Sequence, residues 1–306
     1  MTEDYKQKVL GSKYDLSVWI DGELLDREKA SISVWDHGLL YGDGVFEGIR
    51  VYNGAVYRLY EHLDRLFDSA RAIKLKIEYS RNQIARALGQ TLVHNSLQAA
   101  HCRVIVTRGV GQPGLDPARS PRSTTIIMCY PLPSVLGEGP VRLLTSSIRK
   151  KSPYSIDSKI KSLNYMDSVL AKLQATSAGF DDAILLDSNS YVAEATGMNV
   201  TAVKGKTLFV PRTTAALHGI TRAFILGVAD ELGLAVKEGD FTAYDFYLAD
   251  EVFLSGTGVG LVPVSEIDGR AIGTGTREVF DSIKKRYDED IRESSIDIAK
   301  LANLGS

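Results

Sequence analysis

The sequence predicts an α+β protein of two domains, and three observations support that prediction. Its 306 residues suit about two domains at roughly 150 residues each. Hairpin signatures with Asp-Gly or Asn-Gly turns open the chain, so the first strands pair in antiparallel fashion. Helical and strand-like patterns then follow one another, with hairpins too frequent for a doubly wound parallel sheet. We expect a smaller first domain, 1–134, and a larger second domain, 135–306.

Elements of the first domain follow from short local patterns. Hairpins are predicted for SVWIDGELL and IRVYNGAVYRL. Apolar residues recur at helical spacing from Leu59 to Ile73, and a second helix opens at Ser80 with a capping box to Gln83. Further strands are expected at CRVIVTRG and TTIIMCYP, after which the Pro- and Gly-rich PLPSVLGEGP is typical of a linker.

The second domain continues the mixture of strands and helices. Strands are predicted for VRLLTSSI, DAILLD, YVAEAT, NVTAVKGKTLFV and EVFLSG. Helices are expected from near Ser162 to a stop at Gly179, from about Ile220 to Leu232, and from about Arg277 to Arg286.

Composition excludes several classes of function. The net charge is −2, and no basic block exceeds the three residues Arg149 to Lys151, so a nucleic-acid partner is not expected. The N-terminal MTEDYKQK is not apolar, and the longest apolar runs fall short of the roughly 18 residues of a membrane span. Cys102 and Cys129 lie in strand-like apolar runs, which favours buried free thiols and a cytoplasmic location. The five histidines lack ligand spacing, so no metal site is expected.

The stretch RGVGQPG has the spacing of a dinucleotide fingerprint, with glycines at 109, 111 and 114. Gln112-Pro113 and LDPARSP follow it, so no helix can start there and offer its N-terminus to a pyrophosphate. A long exposed loop is therefore the better interpretation.

Two other stretches are candidate anion cradles. In LHGITRAFIL, Gly219 and Thr221 open a helix, and in LSGTGVGLVP a strand ends in Gly256, Thr257 and Gly258. Backbone N–H groups at such points favour phosphate. A helix cap and a turn explain each stretch equally well when it is taken alone.

The stretch SKIKSLNYM places Lys159 and Lys161 one residue apart. If SKIK is a strand, both lysines lie on the same face, and the pattern does not separate them. A lysine that attacks a carbonyl must be desolvated, whereas most lysines near strand ends are exposed.

Six stretches resemble branched-chain amino-acid aminotransferases, which are class IV aminotransferases and fold type IV pyridoxal-phosphate enzymes. The resemblance runs from about Asp15 to Ile272 in consistent order, through YGDGVFEGIRVYNG, EHLDRLFDSARAI, IKSLNYMDSVLAKLQA, VAEATGMN, HGITR and SGTGVGLVPV. It implies a smaller N-terminal domain and a larger, barrel-like C-terminal domain that carries the catalytic lysine, with the active site between them.

The resemblance also implies the residues that bind pyridoxal 5'-phosphate. Lys161 would bind the cofactor covalently and then transfer protons as general base and acid. Glu194 would pair with the pyridine nitrogen, and Tyr165 would hydrogen-bond the ring oxygen. Arg65 would clamp the phosphate, for which its planar fork is suited. The two cradles would complete the phosphate site through Gly219, Ile220, Thr221, Gly256 and Thr257.

The implied substrate pocket draws on Tyr41 and Phe46 for a branched side chain, with Thr257 and Gly258 facing the substrate. Arg103 would help to hold the carboxylates of amino acid and 2-oxoglutarate. Where the family usually has Tyr-x-Arg, this chain has His101-Cys102-Arg103, and Gly258 stands where many relatives have alanine. Histidine is smaller than tyrosine and can be charged near neutral pH, which would alter how Arg103 is held.

The expected function is transfer of an amino group between branched-chain L-amino acids and 2-oxoglutarate by a ping-pong mechanism. The resemblance also implies at least a homodimer in which loop 109–117 reaches the neighbouring active site. D-amino-acid aminotransferases, (R)-amine transaminases and aminodeoxychorismate lyases share the scaffold and cofactor residues, but YGDGVFEGIR favours the branched-chain type. A non-catalytic ligand-binding protein would be expected to lack Lys161 or Glu194, and an NAD-dependent oxidoreductase rests on the loop glycines alone.

Overall fold

A computed structural model describes residues 16–131, 136–137 and 139–305. The N-terminal MTEDYKQK and much of the PLPSVLGEGP stretch lie outside the described residues. The chain divides into two compact units. Unit 1 comprises the described residues before position 134, Lys161–Asn164 and the residues from Glu293 onward, and unit 2 comprises the rest. Within the described ranges, no helix is long and apolar enough to cross a membrane.

Among the described residues, strands outnumber α-helices in both units. The strands are β1 (Val18–Ile20), β2 (Glu23–Leu25), β3 (Gly44–Tyr52), β4 (Ala55–Tyr57), β5 (Ala100–Thr107), β6 (Thr124–Tyr130), β7 (Val141–Arg149), β8 (Asp182–Leu186), β9 (Val192–Ala195), β10 (Asn199–Lys204), β11 (Thr207–Pro211), β12 (Ala235–Gly239), β13 (Glu251–Gly256), β14 (Gly260–Ile267), β15 (Arg270–Ala271) and β16 (Ser295–Asp297). The α-helices are α1 (His37–Tyr41), α2 (Leu59–Ala72), α3 (Arg81–His94), α4 (Met166–Ser177), α5 (Ile220–Val228), α6 (Ala243–Tyr247), α7 (Glu278–Glu293) and α8 (Ile298–Ala302).

Unit 1 is built on an antiparallel sheet of order β16-β4-β3-β5-β6-β1-β2. Both predicted hairpins are confirmed, and the first turns at Asp21 and Gly22, whose φ angles of 47° and 107° suit an Asp-Gly pair. Helix α2 packs on β3, and α3 packs on β1 and β6. The capping box predicted at the start of α3 is present. Cys102 and Cys129 are buried free thiols, and they pair across β5 and β6.

Unit 2 is built on a mixed sheet of order β12-β11-β10-β13-β14-β7-β8-β9, with β15 added at β14. The terminal strand β9 contacts β10, so the sheet curls back on itself. This curvature agrees with the barrel-like second domain that the resemblance implies. Helix α4 packs on β7 and β8. The core inside the sheet is apolar and includes Leu143, Val200, Phe246, Leu254 and Ile267.

The predicted range 135–306 does not form one unit. Main-chain hydrogen bonds tie the Lys161–Asn164 segment to β3, through Lys161 to Phe46 and Leu163 to Gly44. Strand β16 adds to the edge of β4. Both segments therefore belong with unit 1, although they follow position 134 in the sequence.

Three predicted helix ends differ from those observed. Helix α4 begins at Met166 rather than near Ser162, because Ser162 forms a bridge to Val45 instead. Helix α5 ends at Val228, and the residues predicted to extend it form turns that close at Gly233. Helix α7 runs to Glu293, because Tyr287 and Asp290 continue its buried face through the charged sequence.

Candidate active site

The two lysines of the SKIK stretch lie in different units. Lys159 lies in a turn, in which the Ile160 amide donates to the Asp157 carbonyl (3.0 Å). Its ammonium pairs with the Asp157 carboxylate at 3.1 Å, and its side chain is 46% exposed. SKIK is therefore not a strand, because Asp157 closes a turn there, and strand alternation does not apply to the two lysines.

Lys161 is held against β3 in unit 1. Its amide donates to Ser69 Oγ (3.1 Å), and its carbonyl accepts from the Phe46 amide (2.9 Å). Its Nζ lies 4.7 Å from the centre of the Phe46 ring, and the guanidinium carbon of Arg103 lies 3.9 Å from the same centre. One buried aromatic ring thus contacts an amine and a guanidinium, both of which were singled out from the sequence.

Arg65 donates twice to Glu47, a residue that the sequence analysis missed. Its Nε lies 2.6 Å from Glu47 Oε1, and its Nη2 lies 2.8 Å from Oε2. His62 Nδ1 lies 2.7 Å from Oε2, and since a carboxylate only accepts, His62 donates from Nδ1. Burial raises the pKa of Glu47, but the positive charge of Arg65 and the hydrogen bonds from Arg65 and His62 outweigh it and hold that pKa at about 2. Burial lowers the pKa of His62, although the Glu47 carboxylate beside it acts in the opposite direction.

His101 is buried and neutral. Burial and the nearby charges of Arg50 and Arg103 together lower its pKa to about 4. This pKa favours the neutral imidazole near pH 7, because protonating the ring would place a third positive charge beside two guanidinium groups.

Tyr41 ends helix α1 and contacts the loop from Gly109 to Pro117. Its hydroxyl accepts from the Gly114 amide (2.9 Å). After β5 the chain forms only a three-residue 3-10 helix, Pro117–Arg119, so the glycine spacing does not open an α-helix. Val110 and Leu115 are 48% and 82% exposed, which agrees with the predicted exposed loop.

Glu194 lies in β9 of unit 2, and both of its oxygens accept hydrogen bonds. Oε1 lies 2.8 Å from the ammonium of Lys150. Oε2 accepts from the Leu217 amide (3.0 Å) and lies 3.4 Å from Asn199 Nδ2. The ammonium of Lys150 and two neutral N–H donors thus hold the Glu194 carboxylate. Glu194 is 6% exposed.

Lys150 was missed as a site residue, because the sequence shows it only as part of a basic run. It is 4% exposed and lies 3.2 Å from Ser168 Oγ and 3.7 Å from the Asp167 carboxylate. Burial lowers its pKa, but Glu194 and Asp167 outweigh this, so the pKa is raised and the amine is charged. Lys150 Nζ also lies 5.7 Å from the centre of the Tyr165 ring, so the ammonium of Lys150 is near both Tyr165 and Glu194.

The two candidate cradles lie in unit 2. Gly219 caps α5, and a Cβ there would approach Asn199 Oδ1 to 2.0 Å, so only glycine fits. Ile220 and the buried Thr221 begin that helix. Gly256 ends β13, and Thr257 and Gly258 form the turn to β14.

A cavity of about 370 Å³ in unit 2 is lined by both Tyr165 and Gly258. Its other walls are mainly apolar and include Val169, Met198 and Val259. A predicted cofactor residue and a predicted substrate residue thus line the same cavity.

Residues 44–267 match the family model of amino-transferase class IV. A Methanocaldococcus jannaschii protein, provisionally named a branched-chain-amino-acid aminotransferase, is 43% identical over 279 residues, which cover 90% of this chain and 96% of that protein. The Pseudomonas aeruginosa branched-chain-amino-acid aminotransferase is 38% identical, over 88% of this chain and 91% of its own. The chain belongs to the branched-chain-amino-acid aminotransferase family.

Solved structures agree with this membership. The Escherichia coli branched-chain amino acid aminotransferase superposes with a TM-score of 0.88 at 34% identity, over 90% of this chain and 95% of that one. The T.th. branched-chain amino acid aminotransferase, in complex with N-(5'-phosphopyridoxyl)-L-glutamate, gives a TM-score of 0.87 at 31% identity, over 93% of this chain and 99% of that one. The same enzyme has been solved with pyridoxamine 5'-phosphate and with 4-methylvaleric acid. The predicted family, fold type IV architecture and transaminase class are confirmed, and family members carry the predicted cofactor.

Proposed function

We propose that this branched-chain aminotransferase uses pyridoxal 5'-phosphate to move the amino group between branched-chain L-amino acids and 2-oxoglutarate by a ping-pong mechanism. The observation that carries the proposal is the Phe46 ring with Lys161 on it at 4.7 Å and Arg103 on it at 3.9 Å. An apolar ring beside the reacting amine suits a branched side chain, and the adjacent guanidinium suits the second carboxylate of 2-oxoglutarate.

The residues present fit the cofactor. Thr221, at the start of α5, is buried beside a helix N-terminus, and glycine at the cap position 219 lets Asn199 pack closely against that end of the helix. Glu194 is a buried carboxylate held by Lys150, as a partner for a protonated ring nitrogen requires. The phosphate would be bound by Arg65, Gly219, Ile220, Thr221, Gly256 and Thr257.

The remaining roles concern proton transfer and orientation. When bound, the cofactor supplies an electron sink for the carbanion formed at the substrate α-carbon. Lys161 would bind the cofactor covalently in the resting enzyme, then remove the α-proton as general base and return it as general acid. Tyr165 would hold the ring oxygen. We propose that residues of both units act on the same cofactor.

The substrate would be held by Tyr41, Phe46 and Arg103, with Thr257 and Gly258 in the turn before β14. The alternative functions are those of D-amino-acid aminotransferases, (R)-amine transaminases and aminodeoxychorismate lyases, which share the scaffold and the cofactor residues. The relatives reported above are named as branched-chain aminotransferases, one of them provisionally, and these names favour L-amino acids with branched side chains. A cytoplasmic location, suggested by the two free thiols, stays a prediction.

A homodimer is proposed in which loop 109–117 completes the neighbouring site. Large apolar side chains are exposed on α1 and on this loop, including Leu39 (59%), Val110 (48%) and Leu115 (82%). The bond from Gly114 to Tyr41 joins the loop to the helix, so the two form one surface in unit 1. A contiguous exposed apolar surface of this kind is typical of a protein interface.

Borohydride reduction of the purified protein, followed by peptide mapping, tests the proposal. We expect the reduced cofactor on Lys161, with Lys161→Ala abolishing the label and Lys159→Ala as the matched control that keeps it. A stereoselective assay with L-leucine, D-alanine and (R)-1-phenylethylamine then tests the substrate class. A label on Lys159, or no label, would contradict the assignment of the lysine, and turnover confined to D-alanine or the amine would contradict the substrate.

A further inference from the structure

The pairing of β3 with β5 gathers basic side chains on one face of the unit 1 sheet. Arg50 lies opposite His101, and Gly48 lies opposite Arg103. Side chains two residues apart on a strand share a face, so these positions lie on the face that also carries Phe46. Glu47, one residue away, points to the opposite face and bonds there with Arg65 and His62.

Glycine at position 48 lets the His101 ring pack closely against this face. A Cβ at Gly48 would lie 3.0 Å from both Cε1 and Nε2 of the imidazole. The ring is 8% exposed, and its centroid lies 5.7 Å from that of Tyr130. In the described part of the chain, its buried Nδ1 has no hydrogen-bond partner. A buried polar atom without a partner costs free energy, so it marks a position where a ligand group can bond.

The charged groups that contribute most to the pKa of His101 all lower it. The groups that act on its pKa from the neighbouring elements are Arg50 on β3, Arg103 on β5, His62 on α2 and Lys161. After burial, the two guanidinium groups of Arg50 and Arg103 act most strongly on the pKa of the imidazole. An anion bound among them would offset their repulsion and make a protonated imidazole stable.

We propose that His101 is a specificity residue that takes up a proton when a substrate with a second carboxylate binds. This inference rests on the proposed function, because it assigns the second carboxylate to the face that carries Arg103. A branched-chain keto acid brings no charge to this face, so His101 stays neutral when that acid binds. The same pocket would thereby accept two kinds of substrate side chain. A branched apolar side chain would lie beside neutral His101, and a carboxylate would lie beside protonated His101.

Proton uptake on binding tests the inference without turnover. The holoenzyme in its pyridoxal form, which has no amino group to transfer, is titrated calorimetrically at pH 5.5 with 2-oxoglutarate or 4-methyl-2-oxopentanoate. Each titration is repeated in two buffers of different ionisation enthalpy, which gives the number of protons taken up. Since an adjacent carboxylate raises an imidazole pKa by roughly 1 to 3, we expect uptake of several tenths of a proton with 2-oxoglutarate and almost none with 4-methyl-2-oxopentanoate.

Two variants assign that proton to His101. His101→Gln keeps a hydrogen-bonding side chain that cannot be charged, so it should abolish the uptake and the strengthening of 2-oxoglutarate binding between pH 8 and pH 5.5. His94→Gln, at the exposed end of α3, is the matched control and should keep both. If His101→Gln does not fold, equal uptake for the two acids on the unaltered holoenzyme would still overturn the role of His101.

The possible failures can be told apart. Equal uptake for both acids, uptake that survives in His101→Gln, or binding of 2-oxoglutarate without uptake would each overturn the role of His101. If neither acid binds and Lys161 takes no label, the proposed function fails and this inference fails with it.

Discussion

Replacing Glu47 by glutamine should destabilise the protein and remove a defined part of its acid sensitivity. Glu47 is fully buried and accepts hydrogen bonds from Arg65 and His62. In Glu47→Gln the guanidinium of Arg65, whose side chain is 13% exposed, loses its anionic partner. Removing one partner of a buried ion pair costs about 3 to 5 kcal/mol, since the other charge stays buried without compensation.

The pKa of Glu47 gives an independent magnitude. It is lowered from 4.5 to about 2. At about 1.4 kcal/mol per pH unit, this corresponds to on the order of 3 kcal/mol of stability. Because the folded-state pKa lies below the unfolded one, this stability is fully present above pH 4.5 and is lost as the pH falls toward 2. Both routes give a similar cost for the variant at pH 7.

Urea unfolding between pH 7 and pH 2.5 measures this difference. The gap in unfolding free energy between the unaltered protein and Glu47→Gln should be about 3 kcal/mol at pH 7 and should narrow below pH 4.5. Glu61→Gln is the matched control, because Glu61 pairs with Arg58 but is 50% exposed. It should cost less than about 1 kcal/mol and leave the acid dependence unchanged. A gap that stays constant with pH would refute the reasoning.

Three further predictions concern the proposed site. Glu194→Gln should retain the cofactor but lose most turnover. Folded Arg65→Ala protein should bind the cofactor more weakly by about 1.5 to 3 kcal/mol, and it should also be less stable, because the buried Glu47 carboxylate loses its guanidinium partner. Equal effects of the two changes on retention and turnover would contradict these roles. Arg103→Leu should slow the 2-oxoglutarate half-reaction far more than the leucine one, measured by single-turnover absorbance, and equal losses would place Arg103 on the α-carboxylate instead. Trimming the loop from Gly109 to Pro117 to a short turn should raise KM for hydrophobic substrates, and an unchanged KM would remove the loop from the site.

Local features of the fold were predictable, because local chemistry decides them. The turn at Asp21 and Gly22 needs positive φ, and the capping box of α3 needs a serine and a glutamine three residues apart. The edge strand β16 was not predictable, because it pairs with β4, which precedes it by more than 230 residues. Nothing in the Ser295–Asp297 stretch specifies that partner, which tertiary packing selects.

In the candidate site, too, local sequence motifs were predictable and tertiary contacts were not. Lys161 and Arg65 were found through motif resemblance, but their surroundings were not. Glu47 lies inside the quoted YGDGVFEGIR stretch, and its place in an apolar strand was a usable signal, because a buried carboxylate requires a cationic partner. Lys150 offered no such signal, since a basic run is usually solvated and only the contact with Glu194 reveals its burial.

The charged side chains that the structure describes in the candidate site are of two kinds: some are paired with an opposite charge in their own unit, and others are not. Glu47 with Arg65, and Glu194 with Lys150 and Asp167, are paired inside their own units, so each unit can bury its functional charges as it folds. Arg103 differs, because no carboxylate pairs with it among the described residues and its guanidinium rests on the ring of Phe46. Arg103 is half-buried, so part of its guanidinium remains open to an anion that binds beside the buried His101. The carboxylates of the amino-acid and keto-acid substrates are such anions, and the excess positive charge lies where the proposed function requires them.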